Sequence, residues 1–248
     1  MSFRHPQILD IARRDGRVTV DGLAEALGVT VQTIRRDLSE LADAGRLSRV
    51  HGGAVLPSGV SNIGYADRRA LGAEVKAAIA TRAAALIPDR ASVFLNIGTT
   101  TEAVAHALRG HTGLMVVTNN LNVATTLAET DAEVIVTGGT LRRADGGLVG
   151  PMAAAAVDRF KVDVAVIGCS ALDAEGDLLD YDPGEVEVAR AILRQSRRTV
   201  LVADASKLTR KAPVRIASLS QIDTWITDAL PDPLAEKCAA WGTEVLHP

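Results

Sequence analysis

Apolar residues follow two different spacings along the chain. Near the amino terminus they recur every three or four positions, as in amphipathic helices, whereas beyond residue 91 they gather in short β-branched runs typical of buried strands. The predicted strands are Ser92–Leu95, Leu114–Thr118, Glu133–Thr137, Val162–Gly168, Thr199–Ala203 and Thr224–Thr227. Helical patterns fall before or between many of them, at Glu74–Ile87, Thr101–Arg109, Leu121–Glu129 and Glu185–Gln195. This alternation predicts an α/β fold with a mainly parallel sheet covered by helices on both faces.

The amino-terminal pattern centres on Thr30–Gly45, which has the features of a complete helix. Thr30 is expected to cap the first turn and Gly45 to end the last one in a left-handed conformation. Its apolar stripe consists of Ile34, Leu38 and Leu41. Its polar face begins with Gln32, Thr33, Arg35 and Arg36. Because the helix dipole favours acids at the amino end, arginines there indicate a helix that meets an anion, although a surface helix with two solvated arginines has the same pattern.

A second short helix, Val20–Leu27, precedes this one, and Gly28–Thr30 forms the turn between them. A short helix, a turn with glycine and a longer helix make a helix-turn-helix, whose second helix enters the major groove of DNA. There glutamine pairs with adenine, and arginine pairs with guanine or binds phosphate. The following Arg46–Ala54 predicts a β-wing with a Gly-Gly turn. The predicted DNA contacts are Gln32, Thr33, Arg35 and Arg36, together with Arg46, Arg49 and His51 from the wing to the sugar-phosphate backbone.

The length of 248 residues and an apolar content of 47% favour two domains with sizeable cores. We divide the chain into a winged helix-turn-helix domain (residues 1–56), a linker (residues 57–73) and an α/β domain (residues 74–248). The net charge of −3 does not by itself indicate nucleic-acid binding, so that prediction depends on the clustered cations. Cys169 and Cys238 fit neither a disulfide framework nor a metal site, and no signal peptide or membrane span is evident. We therefore expect buried reduced thiols, no bound metal and a cytoplasmic protein.

The turns after the predicted strands contain many glycines and hydroxyl side chains, and ligands bind at these carboxyl ends in open α/β sheets. The first strand is followed by the segment Asn96–Thr101, which opens a helix. A glycine, three threonines and a helix amino terminus predict a cradle for phosphate, because free backbone N–H groups and the dipole favour an anion. An ordinary strand–helix turn capped by threonine is the alternative, and the Walker sequence GxxxxGK is absent.

Polar residues follow the other predicted strands as well. They are Asn119-Asn120, Gly138-Gly139-Thr140, Gly168-Cys169-Ser170 with Asp173 beyond, and Asp204-Ala205-Ser206-Lys207. Together these turns predict a polar pocket for a small phosphorylated ligand, in which Lys207 is a point charge on the phosphate. Taken alone, Lys207 can also be interpreted as a solvated lysine on the surface.

Two sets of longer motifs occur in order along the chain. The amino-terminal domain contains QTIRRDL at 32–38 and HGGA at 51–54. The α/β domain contains IGTT at 97–100, VTNNLNVA at 117–124, Gly138-Gly139 and DASK at 204–207. On these motifs the chain resembles the DeoR family of bacterial repressors over essentially its whole length. The resemblance implies a sensor domain similar to sugar-phosphate isomerases, and release of DNA when a phosphorylated metabolite binds.

The resemblance also implies which residues contact the effector. Glycine, threonine and lysine match the phosphate-binding positions, amides line the pocket, and carboxylates lie where they could hold ligand hydroxyls. These residues are Gly98, Thr99, Thr100, Thr101, Asn119, Asn120, Gly139, Asp173, Asp180, Glu185 and Lys207.

Within the family, the chain is most similar to the branch concerned with glycerol 3-phosphate. The matching segments are Glu102–Leu108, Arg143–Gly150 and Leu178–Val186. The resemblance therefore favours glycerol 3-phosphate as effector and a role in carbohydrate or glycerol catabolism. Asn96 stands where the family commonly has aspartate, Leu208-Thr209 replaces Phe-Gly, and Ala189 replaces a common lysine. These departures bear on effector specificity rather than on the fold.

A sugar-phosphate isomerase with an added DNA-binding head is the competing interpretation, because Asp180 and Glu185 could act as a general base pair. A constitutive architectural DNA binder would leave the whole pocket unexplained. We favour a repressor with no catalytic residues and no cofactor. Its expected partners are a double-stranded DNA operator, the phosphorylated effector and further copies of itself in a dimer or tetramer, with no membrane.

Overall fold

The computed structural model describes residues 4–15, 17–44, 46–50, 52–55 and 64–248. The chain divides into two units, Met1–Gly72 and Ala73–Pro248, which we call unit 1 and unit 2. Among the described residues, no helix is both long and apolar enough to cross a bilayer.

Unit 1 combines helices with a small antiparallel sheet. Its helices are α1 (His5–Asp15), α2 (Val20–Leu27), α3 (Val31–Asp43) and α4 (Tyr65–Ala70), and its strands are β1 (Arg17–Thr19), β2 (Ser48–Val50) and β3 (Gly53–Val55). The strands pair in the order β1–β3–β2, so the predicted wing gains a third strand from the residues just after α1. Helix α4 lies within the segment that the sequence assigned to a linker.

Helix α3 begins as its sequence predicts. The hydroxyl of Thr30 accepts a hydrogen bond from the N–H of Thr33 at 3.2 Å. Gly28 ends α2 with φ 62°, the left-handed conformation that glycine adopts without strain, and so permits the tight turn into α3. The apolar stripe of α3 is buried against α1 and α2 in a core that includes Ile8, Leu9, Ala12, Leu23, Ile34, Leu38 and Leu41. Gly45, predicted to end α3, lies outside the described residues.

Unit 2 alternates strands with helices. Its helices are α5 (Ala73–Ala84), α6 (Thr99–Ala107), α7 (Leu121–Leu127), α8 (Pro151–Val157), α9 (Pro183–Arg194) and α10 (Asp232–Trp241). Its strands are β4 (Ser92–Leu95), β5 (Met115–Thr118), β6 (Glu133–Val136), β7 (Thr140–Arg142), β8 (Gly147–Val149), β9 (Val162–Ile167), β10 (Ala171–Leu172), β11 (Asp177–Asp180), β12 (Ser196–Val202), β13 (Val214–Ser218), β14 (Thr224–Ile226) and β15 (Glu244–Leu246).

Seven strands form the central sheet in the order β15–β14–β12–β9–β4–β5–β6, and each neighbouring pair is parallel. The six predicted strands and the parallel arrangement are thus confirmed. Residues of α5, α6 and α7 share one apolar core with the sheet, and residues of α8, α9 and α10 share the other. Because helices cover both faces, the strands are continuously apolar rather than alternating.

Two smaller sheets were not predicted. Strands β10, β11 and β13 pair antiparallel, and β7 and β8 form a hairpin. These strands are only two to five residues long, so no periodic pattern marks them. Tertiary contacts with the central sheet and its helices decide their positions.

Candidate functional site

The loops that follow the strands of the central sheet meet at one edge, because the strands are parallel. We call this edge the carboxyl edge; the loops after β4, β5, β6, β9 and β12 form it. All the polar strand-end residues predicted from the sequence, except Asp173, belong to these loops.

The loop after β4 ends in the amino terminus of α6. Gly98, just before the helix, has φ 151°, and a Cβ there would lie 3.1 Å from the hydroxyl oxygen of Thr101. That hydroxyl lies 2.9 Å from the carbonyl oxygen of Asn96 and 2.7 Å from that of Gly98, so Thr101 shapes the loop. The first helical hydrogen bond runs from the N–H of Glu102 to Gly98. The N–H groups of the first turn therefore precede the helical ladder and are suited to an anion.

Asn96 connects the ends of two strands. Its side chain is 2% exposed, and its carbonyl oxygen accepts a hydrogen bond from the N–H of Gly168 at 3.2 Å. The neutral amide therefore joins the loops after β4 and β9.

The two asparagines after β5 differ in what their side chains contact. Asn120 caps α7 by accepting from the N–H of Asn122 at 2.9 Å, and its amide donates to Glu102 at 3.2 Å. Asn119 donates to the carbonyl oxygen of Leu148 at 3.0 Å, but its own carbonyl oxygen is buried without a hydrogen-bond partner among the described residues. A buried acceptor without a partner lowers the stability of the fold by about 1–3 kcal/mol unless a ligand or a water molecule donates a hydrogen bond to it. Asn119 is thus the better candidate of the two for ligand contact.

Gly139 takes a backbone conformation that only glycine tolerates well. Its φ is 115°, and a Cβ would approach the Cβ of Ala153 to 2.9 Å and the carbonyl oxygen of Val149 to 3.0 Å. The missing side chain lets the loop after β6 pack closely on α8. Gly139 can contribute only backbone atoms to a pocket.

Lys207 is buried at the carboxyl edge, in a short turn after β12. Asp204 caps that turn by accepting from the N–H of Ser206 at 3.0 Å. Burial and the nearby guanidinium of Arg210 lower the pKa of Lys207 to about 8, although Asp204 opposes the change. Burial alone would raise the pKa of Asp204, but the ammonium of Lys207 and the bond from Ser206 outweigh it and hold that pKa below its usual value. A solvated lysine, the alternative interpretation, does not describe this residue.

Cysteine chemistry is not evident at this edge. Cys169 and Cys238 are both buried and free, as predicted. Burial raises the pKa of the Cys169 thiol to about 12, so it stays protonated near neutral pH.

Arg142, at the end of β7, holds a cluster of carboxylates. It pairs with both oxygens of Asp145 at 2.9 and 2.7 Å, with Asp182 at 2.9 Å and with Glu185 at 2.6 Å. Burial and repulsion from Asp180 raise the pKa of Glu185 to about 8, against the opposing effect of Arg142. Glu185, predicted to hold a ligand hydroxyl, is thus paired with arginine in this structure.

Asp180 is the last residue of β11, whereas Asp173 lies in the turn between β10 and β11. The carboxylate of Asp180 is buried and accepts from the N–H of Tyr181 at 2.7 Å. Asp173 instead closes the hairpin between β10 and β11 by accepting from Glu175 at 3.1 Å and Asp177 at 2.8 Å. That hairpin packs against α10, where Lys237 donates to the carbonyl oxygen of Ala174. The contacts of Asp173 thus give it the role of a turn residue in this hairpin.

Helix α3 presents its predicted polar face to solvent. Gln32, Arg35 and Arg36 are exposed, and Thr33 is half-buried with its hydroxyl 2.9 Å from that of Thr30. Arg36 also pairs with Glu40 on the same helix at 3.1 Å. Since Arg35 has no such side-chain pair among the described contacts, it is the more available of the two arginines.

The wing residues divide into three cases. Arg46 is exposed. The guanidinium of Arg49 donates to the carbonyl oxygen of Arg35 at 3.0 Å and to the hydroxyl of Ser39 at 3.1 Å, so it ties β2 to α3. His51 lies outside the described residues.

Asp37, between the exposed arginines and the apolar stripe, faces inward. Arg4 donates to both of its oxygens at 2.7 and 3.3 Å. Within the described part of the chain, His5, Asp37 and Glu40 are the group whose ligand atoms lie close enough together for a metal ion, within 4.8 Å. Because the carboxylate of Asp37 already pairs with Arg4, we interpret the cluster as polar contacts that hold the start of α1 against α3.

The sequence reasoning missed Lys76 and Arg142. Lys76 is buried in α5, and it was detectable as a lysine at i, with Ile79 and Ala80 at i+3 and i+4, on an apolar stripe. Arg142 follows the Gly138-Gly139 turn and belongs to none of the motifs. Its partners come from α9 and from the hairpin, so no local pattern identifies it.

Comparison with known proteins agrees with this arrangement. Residues 4–60 match the DeoR-like helix-turn-helix domain, and residues 72–229 match the DeoR C-terminal sensor domain. The chain belongs to the DeoR family. It is 45% identical to a glycerol-3-phosphate regulon repressor of Haemophilus influenzae, over 93% of this chain and 91% of that protein. It is 44% identical to a repressor of the same name from Escherichia coli, over 92% and 91%.

Solved structures show a more limited likeness. Ribose 5-phosphate isomerase A from Methanocaldococcus jannaschii is 15% identical, covers 55% of this chain and 54% of its own, and has a TM-score of 0.41. The initiation factor eIF-2B from Pyrococcus horikoshii is 15% identical over 62% of each chain, with a TM-score of 0.44.

The relatives decide between the interpretations left open by the sequence. Those compared at 44–45% identity are named as transcriptional repressors, not as enzymes. The prediction of a DNA-binding repressor with a sensor domain, rather than an isomerase with an added head, is confirmed.

Proposed function

We propose that this repressor releases its operator when glycerol 3-phosphate binds at the carboxyl edge of unit 2. The observation that carries the proposal is that the α6 amino terminus and the buried ammonium of Lys207 both follow strands at this edge of the sheet. Both favour an anion, and burial strengthens their attraction for it. A phosphate group fits this combination.

Asn119 and the names of the relatives support a polyol as the rest of the ligand. The buried carbonyl oxygen of Asn119 lacks a partner among the described residues and would accept a bond from a ligand hydroxyl. A polyol phosphate supplies such a hydroxyl close to its phosphate. The repressors of Haemophilus influenzae and Escherichia coli are named for the glycerol-3-phosphate regulon, which favours that compound among the polyol phosphates.

On the DNA side, we propose that the exposed face of α3 reads the operator. Gln32 and Arg35 would contact base edges, and Arg36 and Arg46 would contact phosphates. Effector binding releases DNA only if the effector binds the DNA-free state more tightly. A coupling free energy of about 1–3 kcal/mol would weaken operator binding roughly 5- to 150-fold.

The test is a gel shift with DNA from upstream of the protein's own gene. Glycerol 3-phosphate, fructose 1-phosphate and deoxyribose 5-phosphate are titrated in parallel, with glycerol as the control that lacks phosphate. We expect release at the lowest concentration with glycerol 3-phosphate and none with glycerol. Release by only one of the other two phosphates would identify that compound as the effector. Release by none of the three would refute the proposal.

The DNA arm of the same experiment uses Arg35→Ala. Loss of a base contact should weaken operator binding by about 1–3 kcal/mol and leave effector binding intact. Arg82→Ala is the control, because Arg82 is an exposed arginine of α5 in unit 2. Unchanged affinity of Arg35→Ala for the operator would exclude Arg35 from the interface.

A further inference from the structure

The side-chain amide of Asn96 has an orientation that its backbone partner fixes. Its oxygen accepts a hydrogen bond from the N–H of Gly168 at 3.2 Å. Because a backbone N–H can only donate, the oxygen and not the NH2 group must face Gly168. The NH2 group makes no hydrogen bond within the described part of the chain. Asn96 therefore offers two N–H donors that the fold does not use.

The side-chain amide of Asn119 is fixed in the opposite sense. Its NH2 group donates to the carbonyl oxygen of Leu148 at 3.0 Å, and a backbone carbonyl can only accept. The atom left over is its own oxygen, which is buried without a partner among the described residues. One asparagine thus offers donors and the other offers an acceptor.

The two amides lie beside each other at the carboxyl edge. Phe94 of β4 pairs with Val117 of β5, and both belong to the apolar core shared with α8, α9 and α10. Asn96 and Asn119 follow two residues later on these neighbouring strands. Because side chains alternate between the faces of a sheet, both asparagines fall on the same face, just beyond Phe94 and Val117.

A hydroxyl group satisfies both amides at once, because its oxygen accepts one hydrogen bond while its hydrogen donates another. Neighbouring strands lie about 4.8 Å apart. Two groups that each bond one hydroxyl oxygen at about 2.8 Å have a similar separation. A carbonyl group would satisfy the donors of Asn96 only, and an aliphatic carbon would satisfy neither amide.

We propose that Asn96 and Asn119 together bind one hydroxyl of the effector, on the carbon next to the one that carries the phosphate. Asn96 stands two residues before Gly98 of the phosphate cradle, so the group that it contacts lies close to the phosphate. This inference rests on the proposed function and deepens it, because it specifies an alcohol rather than a ketone at that carbon. Asn96 is then a specificity-determining residue.

The first test is calorimetric titration of the full chain with three phosphomonoesters that differ at this carbon. Glycerol 3-phosphate carries a hydroxyl there, dihydroxyacetone phosphate carries a carbonyl, and 3-hydroxypropyl phosphate carries only hydrogen. Each analogue leaves at least one amide without its partner, so each should bind about 10- to 100-fold more weakly than glycerol 3-phosphate. Equal affinity for glycerol 3-phosphate and 3-hydroxypropyl phosphate would overturn the inference.

The second test is Asn96→Asp, which keeps the acceptor for Gly168 but replaces the NH2 donors with an oxygen. The hydroxyl of glycerol 3-phosphate can turn to donate to this carboxylate, whereas the carbonyl of dihydroxyacetone phosphate cannot. The preference for glycerol 3-phosphate over dihydroxyacetone phosphate should therefore rise at least about tenfold. Inorganic phosphate, which has no carbon, measures the effect of the added charge alone. An unchanged preference would overturn the role of Asn96.

The outcomes separate this inference from the proposed function. If the wild-type chain binds all three phosphomonoesters equally, the phosphate site stands and only the inference about the hydroxyl fails. If the wild-type chain binds neither the phosphomonoesters nor inorganic phosphate, the proposed function fails and this inference fails with it.

Discussion

Burial changes the chemistry of individual residues at the carboxyl edge. A solvent-exposed lysine is protonated at neutral pH. The pKa of Lys207, in contrast, is lowered to about 8 by burial and by Arg210. In the free protein it is therefore close to losing its proton at mildly alkaline pH. A bound phosphate dianion would stabilise the ammonium form and raise that pKa again.

This shift predicts how effector affinity depends on pH. The second pKa of a phosphomonoester is about 6, so the ligand is a dianion above pH 7. Because the ammonium form binds it, affinity should be highest near pH 7 and fall as pH rises through about 8, by up to about tenfold per unit. Calorimetry at pH 7, 8 and 9 measures the slope. Lys207→Arg, which stays protonated, should lose it; a slope that persists there would assign the titration to another group.

Among the elements, the hairpin of β7 and β8 is joined to the start of α9 by one charged side chain, that of Arg142. Arg142 joins Asp145 of the hairpin to Asp182 and Glu185 at the start of α9. Its side chain is 25% exposed, so these pairs are only partly shielded from water. The hairpin also reaches the loop after β5, since Leu148 accepts from Asn119. Arg142 thus stabilises a wall of the proposed effector site.

Arg142→Met tests this attachment. The substitution keeps the side-chain length but leaves several carboxylates without their cation, so the free energy of unfolding should fall by about 3 kcal/mol. Urea unfolding measures it. Arg194→Met is the matched control, because its pair with Asp158 is 59% and 44% exposed, and its loss should cost less than about 1 kcal/mol. Equal effects of the two substitutions would contradict the role of Arg142.

At the scale of the whole molecule, effector binding to unit 2 must be coupled to operator binding by unit 1 for the proposed mechanism to work. Each unit has its own apolar core. The coupling is therefore a property of the full chain and, if the predicted homo-oligomer forms, of the assembly. That oligomer remains a prediction based on paired operator half-sites.

Coupling of this kind is reciprocal. If glycerol 3-phosphate lowers operator affinity by some factor, operator DNA must lower the affinity for glycerol 3-phosphate by the same factor. Anisotropy titrations of labelled operator at fixed effector concentrations give one factor, and calorimetry with and without operator gives the other. Effector affinity that is indifferent to operator would mean that the ligand does not act through this equilibrium. Unrelated DNA of equal length is the control.

Local patterns determined much of this protein. The apolar stripe and capping threonine of α3, the six apolar strands and the polar turns after them each depend on neighbours within a few residues, so they could be predicted. The motifs sufficed for the family. The tertiary structure alone decided which polar residues meet. It pairs Glu185 with Arg142 and joins the side chain of Asn96 to Gly168. These outcomes depend on strand order and burial, which place residues distant in sequence into one low-dielectric environment.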